Sequence, residues 1–476
     1  MCGLLCGAFA LAGCGSSSAA DSDASPGVDA AAGADAGPPD DGGGEQTCDS
    51  SSDCDDPTRS ICSSAGLCVE CTSDDHCDGE APICDGSGAC AACADHAECP
   101  SGVCERESGA CADETAILYV DPTDGVSGSE CEREEPCRTV ATATSRLAAG
   151  RPYIHLRHGI YTEGGISFPD ELDAILIGNG ATIQHSSSDT PVLRREIDDE
   201  DGHGSWRIEA VTVEGGRHGV ESIRSDLELA DVTVRGAAET GVLVHPDTIR
   251  GVDADVRVVR ARLTDSGGRG LHVEGNSRSG EPDESSFILS RSYVGGNEDT
   301  GVFVRHVSSA RIDNNFIVDN SGDDRAGAIH TEDPVDDAEP FEIEFNTIAD
   351  NTRIGEDVGV ASVRCGIGGL AANNTVHGGR FVEDDGDGDP ESPAQTEQVG
   401  GECDWMYSNV EGGVSGAGNL AEAPAFADPD AGDYRLTPES PEVGAADPEA
   451  TLDIDFFGDP RPQGDRRDIG ADELLP

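Results

Sequence analysis

The sequence predicts an all-β chain, a right-handed parallel β-helix preceded by a small disulfide-rich region, and three patterns carry that expectation. Strands with apolar residues at every second position recur with core markers at Val213, Val234, Leu263, Val294, Ile317, Ile348 and Val376, at spacings of 21, 29, 31, 23, 31 and 28 residues. Alternation by two belongs to strands, and irregular spacing above a floor of roughly twenty residues is what stacked turns with corner insertions produce. Asn315, Asn346 and Asn374 each stand two places before a marker, so stacking the turns would stack their amides into an internal ladder. The third pattern is a set of twelve cysteines in a threefold repeat, ahead of the strands.

The composition agrees. Only 36% of the 476 residues are hydrophobic and 4% aromatic, too little for one large globular core, and 62 glycines favour strands and turns over long helices. Acidic residues number 95 against 30 basic ones, for a net charge of −65, and every basic residue is arginine. A chain without lysine has no Schiff-base or phosphate-loop lysine, and a polyanion repels nucleic acid. Divalent cations or salt would screen the self-repulsion, which suits a saline or calcium-rich milieu.

Residues 1–14 are apolar up to Leu11-Ala12-Gly13-Cys14, which resembles the lipobox of bacterial lipoprotein signals, with no Lys or Arg ahead of it. The resemblance implies export and lipidation of Cys14, hence a lipid-anchored protein of the bacterial cell envelope, at the outer membrane or cell surface. No other stretch approaches the 18 or more apolar residues of a membrane span. Residues 15–47 are almost entirely Gly, Ala, Ser, Asp and Pro, a composition that cannot offset the entropy of ordering and reads as a disordered tether.

Residues 48–112 hold the repeat: Cys48, Cys54, Cys62, Cys68; then Cys71, Cys77, Cys84, Cys90; then Cys93, Cys99, Cys104, Cys111, with a period of 22 to 23 residues. Disulfides are expected in an oxidising compartment, with the pairing left open. A zinc-ribbon reading of Cys68-x2-Cys71 and Cys90-x2-Cys93 accounts for four of these cysteines where the repeat accounts for all twelve. The segment resembles Dickkopf-type cysteine-rich segments, which implies a spacer or a protein-binding module. Cys131 and Cys137 are expected to pair locally, and Cys365 with Cys403 to clamp the acidic excursion between them.

Residues 116–418 form the expected coil. Ile117-Leu118-Tyr119-Val120, Pro136-Cys137-Arg138-Thr139-Val140, a short amphipathic helix, and Tyr153-Ile154-His155-Leu156 into Gly159-Ile160-Tyr161 resemble the start of bacterial pectin-lyase-like β-helix proteins. In that family a short helix shields the first turn of the coil. Residues 419–476, with Asp433-Tyr434-Arg435-Leu436, Gly458-Asp459-Pro460-Arg461-Pro462 and Asp468-Ile469-Gly470-Ala471-Asp472-Glu473, resemble the closing segment of bacterial β-helix surface proteins.

In pectin-lyase-like enzymes the substrate groove follows one outward sheet face. A second recurring strand, Gly241–His245, Gly270–Glu274, Gly301–Arg305 and Ala326–His330, places Val242, Val244, Leu271, Val273, Val302, Val304 and Ile329 inward. Aligned in that way, it leaves an outward row of Leu243, His272, Phe303 and Ala328, and another of His245, Glu274, Arg305 and His330. Arg305 beside a uronate carboxylate, His330 or His245 as acid or base, and Glu274 between them form the candidate catalytic set, with His272 and Phe303 as binding residues. The competing reading is an ordinary solvated face. A second row, Asp265, Asp319 and Asp350, suits calcium or a carboxylate pair, and equally a column of turns. Asp385, Asp387 and Asp389 resemble a calcium loop, with Pro390 where glycine would turn the chain; calcium is the one cofactor the sequence suggests. Gly322-Asp323-Asp324 and Gly202-His203-Gly204 echo polygalacturonase motifs in reversed order, which argues against that activity.

The function expected is a cell-surface-anchored protein that contacts extracellular polysaccharide or a surface protein without catalysis. A polysaccharide lyase or glycosidase acting on acidic polysaccharide is the first alternative, and a cysteine-rich interaction module on a β-helix stalk the second.

Overall fold

A computed structural model describes residues 46–475 except 171, 198–203, 246–253, 276–284, 323–325, 333–340, 356–358, 367–368 and 384–396. Cys14, most of the tether, the Asp385, Asp387, Asp389 loop, Asp323, Asp324, Gly202 and His203 therefore lie outside the described residues. The chain divides into two units, Met1–Glu70 and Cys71–Pro476.

The described part of the first unit is one cysteine module. A single turn of 3-10 helix, Ser51–Asp53, precedes a hairpin of Ile61–Cys62 with Cys68–Val69. Bridges Cys48–Cys62 and Cys54–Cys68 close loops of 14 residues, joining first cysteine to third and second to fourth. So few apolar residues cannot bury a core, and the cross-links make up the deficit by restricting the unfolded chain.

The second unit begins with two more modules of the same connectivity, Cys71–Cys84 with Cys77–Cys90 and Cys93–Cys104 with Cys99–Cys111. Cys68, Cys71, Cys90 and Cys93 each belong to a different bridge, which removes the thiolates a zinc ribbon needs. The expected Cys131–Cys137 and Cys365–Cys403 bridges are both present.

From Ile117 onward the chain winds into a coil of three long parallel sheets, with a short fourth of Ser321–Gly322, Thr352–Gly355 and Arg380–Glu383 among the described residues. A rung in its middle illustrates the path. Ser309–Asp313 lies in the first sheet, Phe316–Val318 in the second and Ile329–Glu332 in the third, before Glu342–Glu344 returns to the first one rung on. The third sheet has nine strands, from Ile166–Phe168 to Val399–Gly401. Two corners are sharp turns in left-handed backbone. Asp231, Arg260, Arg291, Asn314, Phe345 and Asn373 occupy the corner between the first and second sheets, and Asp265, Asp319 and Asp350, at φ 58°, 54° and 55°, the corner after the second. Left-handed backbone favours Gly, Asn and Asp, so the aspartate column is a column of turns, shared with Gly236, Gly296 and Gly378. Asp265 and Asp319 are thereby separated by a glycine rung.

Inside the coil, each rung contributes aliphatic side chains to one continuous core that includes every marker from Val213 to Val376. The asparagine ladder is present: Asn315 Nδ2 donates to Asn346 Oδ1 at 2.9 Å and Asn346 Nδ2 to Asn374 Oδ1 at 3.0 Å. A second ladder runs beside it, Asn297 to Asn320 at 2.8 Å and Asn320 to Asn351 at 3.0 Å. All six amides are buried, and each satisfies backbone carbonyls that the corners leave without a strand partner.

The short helix Val140–Thr144 sets Val140 and Ala143 into the first turns of the core, and the Glu163 carboxylate accepts from the amides of Val140 and Ala141 at its start. The closing segment lies along the outer face of the second sheet: Tyr434 and Ala471 cluster with Phe316, Val318 and Ala349. Fully buried Arg461 ties it down, paired with Glu473 at 3.1 Å and stacked over Phe345.

Candidate functional site

On the outer face of the third sheet, the strands carrying the candidate set pair in a register that differs from the sequence-based alignment in one place. His272 pairs with Phe303, Glu274 with Arg305, and Phe303 with His330, so that Arg305 faces Glu332 instead of His330. This corrects the two rows. His330 belongs with Leu243, His272 and Phe303, and Ala328 precedes the strand. The error is a slip of two residues, which preserves the inward set Val242 to Ile329 because side chains alternate with period two.

The outward row is not a solvated surface. Phe303 is 4% and His330 2% exposed, and the Phe303 ring meets His272 and His330 edge-on, with centroids 4.9 and 5.1 Å apart. The Arg269 guanidinium lies 4.2 Å above the same ring. Arg305 is held by Glu274 at 2.7 Å, and His330 Nε2 lies 3.0 Å from Glu332. Burial, followed by the charges of Arg269 and Arg305, pushes the His272 imidazole down to about 3 and keeps it neutral. His245 stands one strand before Glu274 in its column. The face thus brings His245, Glu274, Arg305, His272, Phe303 and His330 together, but spends their polar groups on one another and hides the aromatic ring from a stacking partner.

Among the carboxylates of the second corner, burial and then the charge of Asp350 push Asp319 upward, and Asp350 accepts from the Tyr434 hydroxyl at 2.9 Å. Asp350 is thus bound to the closing segment.

A different site lies on the outer face of the first sheet, where the third cysteine module settles against the coil. Val103 and Ala112 of the module join Ile117, Tyr119 and Ile177 in an apolar cluster, and the Tyr119 hydroxyl donates to the Ser101 carbonyl at 2.9 Å. Beside this cluster stands Glu209, whose side chain is 1% exposed. Three basic side chains converge on it: His96 at 2.9 Å and Arg106 at 2.8 Å from the module, and Arg207 from its own strand. Burial raises the carboxyl, yet the His96 hydrogen bond and the charges of Arg207 and Arg106 outweigh it and hold Glu209 below the ordinary carboxylate range.

Next to that pin opens a cleft of 720 Å³. Its apolar lining is Pro152, Tyr153, Leu172 and Ile175, and its charged lining Glu228, Arg257 and a column of Asp173, Asp226 and Asp255. Ser205 stands between Asp173 and Asp226 in that column, which therefore runs along the coil axis, with adjacent rungs about 4.8 Å apart. Hydrogen bonds orient these carboxylates: Asp173 accepts from Ser205, Asp226 from the Asp255 amide, and Asp255 from Ser286. The sequence reading missed this site because Glu209 and His96 are 113 residues apart. The available signal was scarcity: where 95 acids face 30 bases, Arg106, Arg207 and Arg257 are informative by being basic.

No family model and no curated protein matches the chain. Among solved structures it is similar to pectate lyase Pel9A, with 13% identity over 76% of this chain and 98% of that one, at a TM-score of 0.44. It is also similar to XylC in its complex with xylose, with 12% identity over 68% of this chain and 65% of that one, at a TM-score of 0.41.

Proposed function

We propose that this chain is an exported, envelope-anchored protein that binds glycan, without a catalytic step, in the cleft between the third cysteine module and the first sheet. The single observation that carries the reading is the cleft itself. It offers an aromatic ring, Tyr153, together with hydrogen-bonding carboxylates and Arg257, on a scale that suits a short oligosaccharide. Sugars present apolar ring faces and many hydroxyls, and this pairing of surfaces answers both. The third module and the coil each supply one wall, so these two act as one binding unit.

The lipobox-like Leu11-Ala12-Gly13-Cys14 supports a lipid anchor through Cys14, and the tether behind it would let the cleft reach beyond the membrane surface. The Dickkopf-like spacing of the cysteines is compatible with a surface-protein partner on the modules that do not line the cleft. A lyase or glycosidase at Arg305 would require that residue to leave Glu274 and buried His330 to reach a substrate.

Calorimetric titration with a panel of neutral, acidic and amine-bearing oligosaccharides, with and without calcium, tests the reading. We expect at least one class to bind and Tyr153→Ala to weaken it about tenfold. Binding by no class, or indifference to Tyr153→Ala, would remove the proposal. Unsaturated sugar ends in the same mixtures would move the assignment to a lyase. Cys14→Ala is expected to transfer the protein from the membrane fraction to the soluble fraction.

A further inference from the structure

A separate cavity of 380 Å³ lies on the first sheet against residues 95–102 of the third module. Its polar lining is mostly basic. Arg133, Arg157, His155, His96 and Asn179 face it, with Asp95 as the one acidic residue in the lining. In a chain with more than three acids for each base, such a concentration of donors stands out.

His155 is the centre of this arrangement. It extends outward from the strand Tyr153–Leu156, with its ring edge-on to Tyr119 at 5.7 Å. Gly102 of the module lies so close that a Cβ there would fall 2.8 Å from His155 Nε2. The other ring nitrogen, Nδ1, is buried against the protein. Burial, followed by the charges of His96, Arg157 and Arg133, pushes the imidazole down to about 4 and keeps it neutral. Arg157 is paired with Asp121 at 3.0 Å, while Arg133 is paired with the exposed Glu114, an ion pair that solvent can exchange.

We propose that this cavity is a binding site for an oxyanion, with Arg133, Arg157 and Asn179 as donors beside the His155 ring. Guanidinium forks match the geometry of carboxylate, sulfate and phosphate oxygens. That chemistry is shared by free inorganic anions and by the carboxylate or sulfate ester of an acidic glycan. His96 borders both this cavity and the glycan cleft, but the three donors line this cavity alone, so the site does not depend on the glycan reading.

The test uses the full chain at roughly 0.15 M salt, where repulsion by distant charges is screened beyond about 8 Å. Inorganic phosphate, inorganic sulfate, an oligogalacturonate and a sulfated oligosaccharide are titrated while the His155 imidazole resonances and the heat of binding are followed. We expect saturable binding that shifts His155, a loss of about tenfold in Arg133→Gln, and a gain in Glu114→Gln, which frees Arg133. Equal affinity for free and glycan-borne anions identifies the free ion as the ligand, and about tenfold tighter binding of a glycan identifies its anionic group. Should none of the four shift His155, or should Arg133→Gln and Glu114→Gln both bind like the parent chain, the site does not exist.

Discussion

The outer faces of the first and third sheets start from the same material, parallel strands whose outward rows carry arginine, histidine and acid, and end in different states. On the third sheet, Phe303 sits between two imidazoles under Arg269, and Arg305 is closed onto Glu274. On the first sheet, one carboxylate, Glu209, gathers His96 and Arg106 from a cysteine module, and the space beside it stays open as a cleft. Whether an outward row is a site depends less on its residue types than on what covers it. A row that satisfies itself becomes structure, and a row with a wall built beside it keeps groups for a ligand.

Four measurements can break or sharpen that contrast. The largest effect is expected for Phe303→Ala, which should cost about 4 kcal/mol in denaturant unfolding because the ring is buried on the outside of its sheet. A loss near zero would restore the solvated face. Glu209→Gln should cost about 3 kcal/mol by leaving His96, Arg106 and Arg207 without their anion. Hydrogen exchange should then rise across residues 93–111, while the third sheet is unaffected; uniform exchange would mean that Glu209 does not pin the module.

Acid should discriminate next. His272 remains neutral in the folded chain down to about 3, whereas the unfolded chain binds a proton near the ordinary imidazole value. Stability should therefore be lost as pH falls from that value towards 3, and His272→Gln should flatten the slope. Glu209 adds a further loss at lower pH, since its depressed carboxyl stabilises the fold only while ionised. The smallest effect belongs to Arg305→Gln: its pair with Glu274 is partly exposed and should be worth less than about 1 kcal/mol, with glycan binding in the cleft unchanged.

Much of the coil could be read from residues alone. The markers from Val213 to Val376, the helix at Val140 and the ladder of Asn315, Asn346 and Asn374 stand where alternation and phase put them. Asn320 and Asn351 read as turn formers, because Asp-Asn at a corner looks the same whether its amide faces water or a stacked neighbour; in the coil they form the second ladder. The site was less legible. The two-residue slip at His330 escaped because shifting by two keeps every face, and loop length decides the partner.

By itself, the sequence determined what local spacing and chemistry can determine: an all-β coil with an amide-lined interior, stapled modules ahead of it, and a strongly acidic surface. These follow from period, composition and cysteine count, which are properties of neighbours along the chain. Only the tertiary structure decided which cysteines pair within the modules, which rung faces His330, and that Glu209 meets a module 113 residues away. Those outcomes depend on contacts between distant segments, whose energies arise from burial and charge pairing in three dimensions and leave no periodic trace in the order of residues.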